Sequence, residues 1–356
     1  MSRPTWARWI TRISLVIALV ALVLTIRDTG LATIGRYFKR IGWWWFAVVA
    51  LEVVITSLDA VAIRAFMSPE QAKVRFRSAL LSQLAGRSVN AVTPSGQLGE
   101  AVKVSVLTEH VSQSRAVATI LLYNVVSFTV ELGTVAVAAP FVVLLIPMSP
   151  ALRGLMLGTA VVCAVIAIGL YTLVHRGVLS SIARLFRRLR VLSEARYEKW
   201  HATLEAVDHK MQISEGARKR DRVTGICAVT LSRLTSMGLS LLILHAVGEP
   251  ITGRFIAGYT VGAFVVYMLS TFVPMGLGVS EGGNYWLFRA LGENPARGVT
   301  LVIARRVTLV VYAGIGLVLM AASETVARAR EGVPVAHPSH PSEASPPPRA
   351  VIKTAD

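Results

Sequence analysis

Apolar stretches long enough to cross a bilayer recur along the chain at about 9–26, 43–66, 115–146, 151–175, 222–247 and 297–325. A hydrocarbon core of about 30 Å takes about 20 residues of helix to cross, so these runs predict six transmembrane helices. Two further regions are apolar but interrupted. The first has pieces at about 72–92 and 98–110, hinged at Thr93-Pro94-Ser95-Gly96-Gln97-Leu98-Gly99-Glu100. The second has pieces at about 253–273 and 280–292, hinged at Pro274-Met275-Gly276-Leu277-Gly278-Val279-Ser280-Glu281-Gly282-Gly283. Hydrocarbon offers no partner to the amides and the carboxylate that such a break sets free. Each pair is therefore read as a re-entrant hairpin that enters and leaves on one side. The expected fold is an all-α polytopic membrane protein with about six transmembrane helices and two re-entrant helical hairpins.

Charge then orients the chain. Segment 176–222 holds twelve Lys or Arg against six acids, which marks it as cytoplasmic. Counting outward puts both termini in the cytoplasm, and leaves Arg27, Arg36, Lys39 and Arg40 outside, against the positive-inside trend. The same count divides a membrane domain, 1–329, into repeat one (about 9–146) and repeat two (about 151–325). Their hairpins enter from opposite faces. That is the layout of an inverted repeat, with a site expected near the midplane between the halves. Within the linker, Leu179, Ile182, Phe186 and Leu189 share a helical face and Arg184, Arg187, Arg188 and Arg190 surround it, as in a basic helix lying in the interface. Residues 330–356, with Pro346-Pro347-Pro348, read as a disordered cytoplasmic tail.

Composition narrows the function classes. Hydrophobic residues make up 54% of 356 residues, and the net charge is +17. The basic residues flank apolar spans instead of forming an aromatic-interleaved patch, so lipid headgroups and not nucleic acid are the expected partners. Cys163 and Cys227 are far apart in apolar segments, which fits small core residues and no metal site. Arg3, Arg8 and Arg12 precede the first apolar run without a small-residue cleavage site after it, so that run is expected to stay as an anchor. Trp43, Trp44 and Trp45 read as an interfacial belt.

The candidate site consists of the hinges and the intramembrane charges. Thr93, Pro94, Ser95, Gly96, Gly99, Glu100 and Lys103 form the first hinge group; Pro274, Gly276, Gly278, Glu281, Gly282 and Gly283 form the second. Glycine alone would fit close helix packing. Glycine with proline and an embedded glutamate, twice, fits a backbone that turns at depth and presents helix-end amides to an anionic group. Glu100 and Glu281 are expected to brace these turns. Glu52 and Asp59 stand seven apart on the second span, with Glu131, Arg233, Arg305 and Arg306 on later ones. Each such charge costs about 2.5–3.5 kcal/mol at mid-membrane on insertion scales, so it should face the interior or pair; helix-locking ion pairs are the plainer alternative. Glu52 precedes Glu100 by 48 residues and Arg233 precedes Glu281 by 48, which suggests a central Glu52–Arg233 pair. Arg64 and Lys103 either meet a phosphate or snorkel. No nucleophile–base pairing, zinc spacing or nucleotide loop is present, so neither an enzyme nor a cofactor is expected.

Pro94-Ser95-Gly96-Gln97-Leu98-Gly99-Glu100 with Lys103 and Leu107, and Phe272 through Gly282 with Leu291-Gly292 downstream, resemble the two signatures of the lysylphosphatidylglycerol synthase transmembrane-region family, also called flippase-like. The likeness covers about residues 10–325. It implies a multi-pass protein of the bacterial inner membrane that moves an amphipathic lipid between leaflets. Bifunctional members carry an aminoacyl-transferase domain; this chain resembles a stand-alone member, some of which are associated with hopanoid or other envelope lipids. An ion-coupled transporter of a small polar solute, an intramembrane lipid-modifying enzyme and a scaffold are the competing expectations.

Overall fold

The computed structural model describes residues 31–92, 98–145, 147, 150–176, 219–246, 251–271 and 278–331. The run at 9–26, the linker helix at 178–192 and the tail beyond 331 lie outside these residues. Among them the secondary structure is helical, without strands. The order is α1 (Leu31–Ile41), α2 (Trp44–Phe66), a 3-10 turn (Glu70–Lys73), α3 (Phe76–Val92), α4 (Leu98–Leu107), α5 (Gln113–Leu145), α6 (Pro150–Arg176), α7 (Lys219–Ala246), α8 (Gly253–Thr271), α9 (Val279–Ala290) and α10 (Pro295–Glu331). The chain divides into two compact units, 1–320 and 321–356. Of the second, residues 321–331 are described and are helical.

Four helices among the described residues are long and apolar enough to cross a membrane: Trp44–Phe66, Gln113–Leu144, Lys219–Ala246 and Pro295–Val318. They match the expected spans at 43–66, 115–146, 222–247 and 297–325. The run at 151–175 forms α6, whose apolar part, Met156–Thr172, is shorter, as is Phe255–Ser270 in α8. Phe46, Val53, Phe141, Leu144, Val161, Val165, Ile168 and Leu231 are exposed on these helices. So broad an apolar surface suits lipid and not water. Helix is the form such segments must take, because each backbone amide then finds its partner within the segment.

Packing begins with α2 against α7, which run antiparallel. The Trp44 ring meets His245 at 5.2 Å, Ser232 donates to Asp59, the Phe66 ring lies against Gly225, and Ser68 donates to Asp221. Partner numbers fall along α7 as they rise along α2. At one end Trp45 is buried with Ile41, Val48, Leu239 and Ile243. The three tryptophans therefore divide: Trp43 is 82% exposed, as an interfacial belt needs, while Trp45 belongs to the core.

Helices α3 and α4 approach backbone to backbone where Gly86 faces Gly99. A Cβ on Gly86 would lie 2.8 Å from the Gly99 carbonyl oxygen and 2.7 Å from Lys103 Cε, distances that real side chains cannot occupy. The missing side chain thus makes room for the Lys103 stem. Helices α8 and α9 pair likewise, with Gly283 against Val266 and Gly262 against Leu287. Helix α5 then packs on α8, and α10 on α3. Leu132, Val135 and Ala139 of α5 bury Val261 of α8; Ala313 and Leu317 of α10 bury Ala85 and Val89 of α3. A long helix, a helix pair and a second long helix thus occur twice in the same order, as α2–α5 and as α7–α10.

Candidate functional site

Helix α2 places Glu52, Thr56 and Asp59 on one face, at spacings of four and three. All three are buried, Asp59 at 1% exposure. Arg87 of α3 donates to Glu52 Oε2 at 3.0 Å and to Thr56 Oγ1 at 3.1 Å. Thr56 Oγ1 also meets the Tyr312 hydroxyl of α10 at 2.7 Å, and the Arg87 guanidinium lies over the Tyr312 ring. One turn on, Asp59 accepts from Gln83 Nε2 at 2.9 Å and from Ser232 Oγ at 2.6 Å. Arg233 of α7 joins this half. It donates to the Tyr123 hydroxyl at 2.8 Å and to Ser127 Oγ at 3.3 Å, both on α5. It also faces Asp59 Oδ1 at 3.7 Å and Glu131 Oε1 at 3.5 Å. Five helices thus contribute to one polar network within apolar spans. Burial without such partners would cost several kcal/mol per charge.

Glu100 anchors the first helix pair from the third position of α4, beginning at Leu98. Its Oε1 accepts from Asn90 Nδ2 at 3.0 Å and from Lys103 Nζ at 2.9 Å, and its Oε2 accepts from Asn124 at 2.8 Å. Asn90 Oδ1 in turn accepts the Gly99 N–H at 2.6 Å. The carboxylate therefore ties α3, α4 and α5 together through side-chain donors. The Gly99 amide at this end goes to Asn90 instead. Lys103 also lies 5.4 Å from the Tyr123 ring centre, which links this group to the central network.

Glu281 occupies the third position of α9, and there it reaches the backbone. Its Oε2 accepts the Gly278 N–H at 2.9 Å, half of a capping box, while Gly278 adopts φ +78°. A side chain at Gly278 would be strained in that conformation, which is why glycine opens this helix. Glu281 Oε1 pairs with Arg306 of α10 at 2.5 Å. Beside it, Ser280 Oγ meets Ser270 Oγ of α8 at 3.0 Å, and Asn284 donates to the Ser280 carbonyl. Gly282 and Gly283 follow within α9.

Thr93, Pro94, Ser95, Gly96, Pro274 and Gly276 lie outside the described residues. Apart from Arg305 and the α9 glycines Gly282 and Gly283, the other expected site residues fall into three groups. Glu52, Asp59, Glu131 and Arg233 meet in the central network, Gly99, Glu100 and Lys103 form the first helix-pair contact, and Gly278, Glu281 and Arg306 form the second. Arg305 joins none of them. It is exposed on α10 and makes no hydrogen bond or ion pair among the described residues.

Two expectations are corrected. Glu52 and Arg233 do not pair with each other, because the antiparallel ladder brings Arg233 level with Asp59 and leaves Glu52 to Arg87. Nor is Lys103 placed to snorkel or meet a phosphate: it is 3% exposed and held by Glu100, while Arg64 donates to the Val74 carbonyl. Sequence reasoning missed Arg87, Gln83, Asn90, Tyr123 and Asn124. Arg87 carried a signal, as a charge inside an apolar helix-like piece. The four neutral residues carried none, since uncharged polar side chains are common on any helix.

Comparison with curated proteins returns no match, and neither does comparison with solved structures. The family comparison does, over residues 12–316, which include the spans, both helix pairs and the network between them. The chain belongs to the family described as the lysylphosphatidylglycerol synthase TM region.

Proposed function

We propose that this protein translocates a lipid bearing an anionic or zwitterionic phosphate headgroup across a bacterial inner membrane, without making or breaking covalent bonds. The observation that carries the reading is Arg305. It lies ten residues, about 15 Å, into the candidate span Pro295–Val318, itself about 36 Å long. An exposed guanidinium at that depth, with no partner among the described residues, costs a few kcal/mol in lipid. A headgroup phosphate is the anion that reaches such a place, and a guanidinium matches it with two parallel hydrogen bonds. Arg306, one residue on, is ion-paired with Glu281. That leaves Arg305 to receive the headgroup and the quarter-exposed Arg233 to meet it further in.

The helix arrangement supports a translocation pathway. By the register of Glu100 and Glu281, Ile55 corresponds to Ser236. The α2–α7 ladder brings those same two positions level to within a residue. Two equivalent helices crossing antiparallel at equivalent residues is what a two-fold axis requires. The exchange of α5 onto α8 and of α10 onto α3 fits the same axis. An axis in the membrane plane makes α3–α4 and α8–α9 re-entrant hairpins entering from opposite faces of an inverted repeat, with the cluster between them. Positive segment 176–222 then faces the cytoplasm, with both termini on that side.

The test is reconstitution in vesicles of phosphatidylethanolamine and phosphatidylglycerol carrying acyl-labelled phosphatidylglycerol. Acceleration of label movement between leaflets supports the proposal. Uptake of soluble solutes without lipid movement would replace it with a solute transporter.

A further inference from the structure

Among the described residues, the charges of the central network do not balance. Glu52, Asp59 and Glu131 bring three carboxylates, and Arg87 and Arg233 bring two guanidiniums. Lys103 is already matched by Glu100. Fully ionised, the network holds one negative charge in excess at a depth where an uncompensated charge is costly.

The partners show where that excess sits. Glu52 has a charged hydrogen bond from Arg87 at 3.0 Å. Asp59 is 1% exposed and accepts from Gln83 and Ser232 as well as facing Arg233. Glu131 has only the shared Arg233, at 3.5 Å, and no hydrogen-bond donor among the described residues; its side chain is 26% exposed. The charged and titratable groups around it are Arg233 from α7, Asp59 from α2, and Tyr267 from α8. Tyr123 lies two turns back on its own helix, bonded to Arg233. Helix α6 meets α5 through an apolar cluster in which Cys163 is buried. A metal cation beside Glu131 would stand next to the guanidinium and be repelled. A proton on the carboxylate removes the excess charge without needing further ligands.

We infer that Glu131 is a proton-binding site sharing Arg233 with Asp59, and that lipid translocation is coupled to its protonation. The coupling rests on the translocation reading above; the proton site does not. A proton from the aqueous phase adds to a Glu131 oxygen, and the Glu131–Arg233 attraction lapses. Arg233 keeps Asp59 and Tyr123, and its outer nitrogen becomes free for a headgroup phosphate. Ionised Glu131 repels that same phosphate. The site therefore carries one net negative charge either as Glu131 carboxylate or as neutral Glu131 with a bound anionic headgroup. Proton and headgroup travel together, so net lipid movement runs from the acidic leaflet to the alkaline one.

The test uses the full chain in the same vesicles with acyl-labelled phosphatidylglycerol and an imposed pH gradient of either sign. Wild type should move label toward the alkaline side and reverse when the gradient is reversed. Glu131→Gln should move it at one rate with or without the gradient, whatever that rate is, and Glu131→Asp should restore the dependence. A gradient response that survives in Glu131→Gln overturns the inference. Should that variant fail to fold, equal wild-type rates under opposite gradients overturn it equally well. Infrared titration of the purified protein separates the two claims. A protonated-carboxyl band that appears on acidification and is lost in Glu131→Gln supports the proton site even if no lipid moves, in which case the translocation proposal falls. Lipid movement with an unchanged band in Glu131→Gln overturns the proton site and leaves translocation standing.

Discussion

Gly99→Ala should loosen the first helix pair. The added methyl would sit 2.5 Å from Asn90 Oδ1 and 2.6 Å from Asn90 Cγ, and nearer still to the carbonyl oxygen of Gly86. That oxygen is helix backbone and cannot swing away, so α3 and α4 must separate. Overpacking of this kind costs about 1–3 kcal/mol. Separation also breaks the 2.6 Å bond from the Gly99 N–H to Asn90, worth about 0.5–1.5 kcal/mol. Against this, alanine favours helix over glycine by up to about 1 kcal/mol. The net expectation is a loss of about 0.5–4.5 kcal/mol, with Glu100 displaced from Asn90 and Asn124. Thermal unfolding of the purified protein, followed by tryptophan fluorescence, measures it. Gly133→Ala is the control, since a Cβ at Gly133 meets nothing within 4 Å. Equal melting of the two variants would refute the close-contact reasoning.

Three other outcomes are expected. Asp59→Ala leaves Ser232 without its acceptor and takes one partner each from Gln83 and Arg233, which keep Tyr123 and, for Arg233, Glu131; it should lower stability by about 1–3 kcal/mol in the same melting assay. Glu281→Ala removes the partner of Arg306 and of the Gly278 amide; a loss of about 1–2 kcal/mol is expected from the cap alone, read as earlier proteolysis between α8 and α9. Arg305→Gln should not lower stability, because the charge that it removes is itself costly in lipid. Its loss of a charged hydrogen bond worth about 1.5–3 kcal/mol should still weaken binding of phosphatidylglycerol about tenfold or more, measured by lipid adducts in native mass spectrometry.

The long spans were legible because about twenty apolar residues in a row admit few other structures. The helix breaks were legible for the complementary reason: glycine, proline and glutamate are costly there. That Glu100 and Glu281 stand near the start of a helix was legible from the expected pieces at 98–110 and 280–292, yet their partners were not. One reaches a backbone amide and the other three side chains, a difference set by Asn90 and Asn124. The matched spacing of Glu52 and Arg233 suggested a pair that the structure does not form. On the two-fold relation proposed above, equivalent residues would meet only at the axis, near Ile55 and Ser236. Away from it each finds a different partner. Arg87 and Gln83 belong to a helix whose burial depends on α4, α10 and α5, and no local pattern reports that.

Movement of acyl-labelled phosphatidylglycerol between leaflets, in vesicles holding wild type or Arg305→Gln, tests the central claim most directly. Wild type should accelerate it well above protein-free vesicles, and Arg305→Gln should fall toward that background while remaining folded. Equal rates in wild-type and protein-free vesicles for every phosphate-bearing lipid tried would contradict the account.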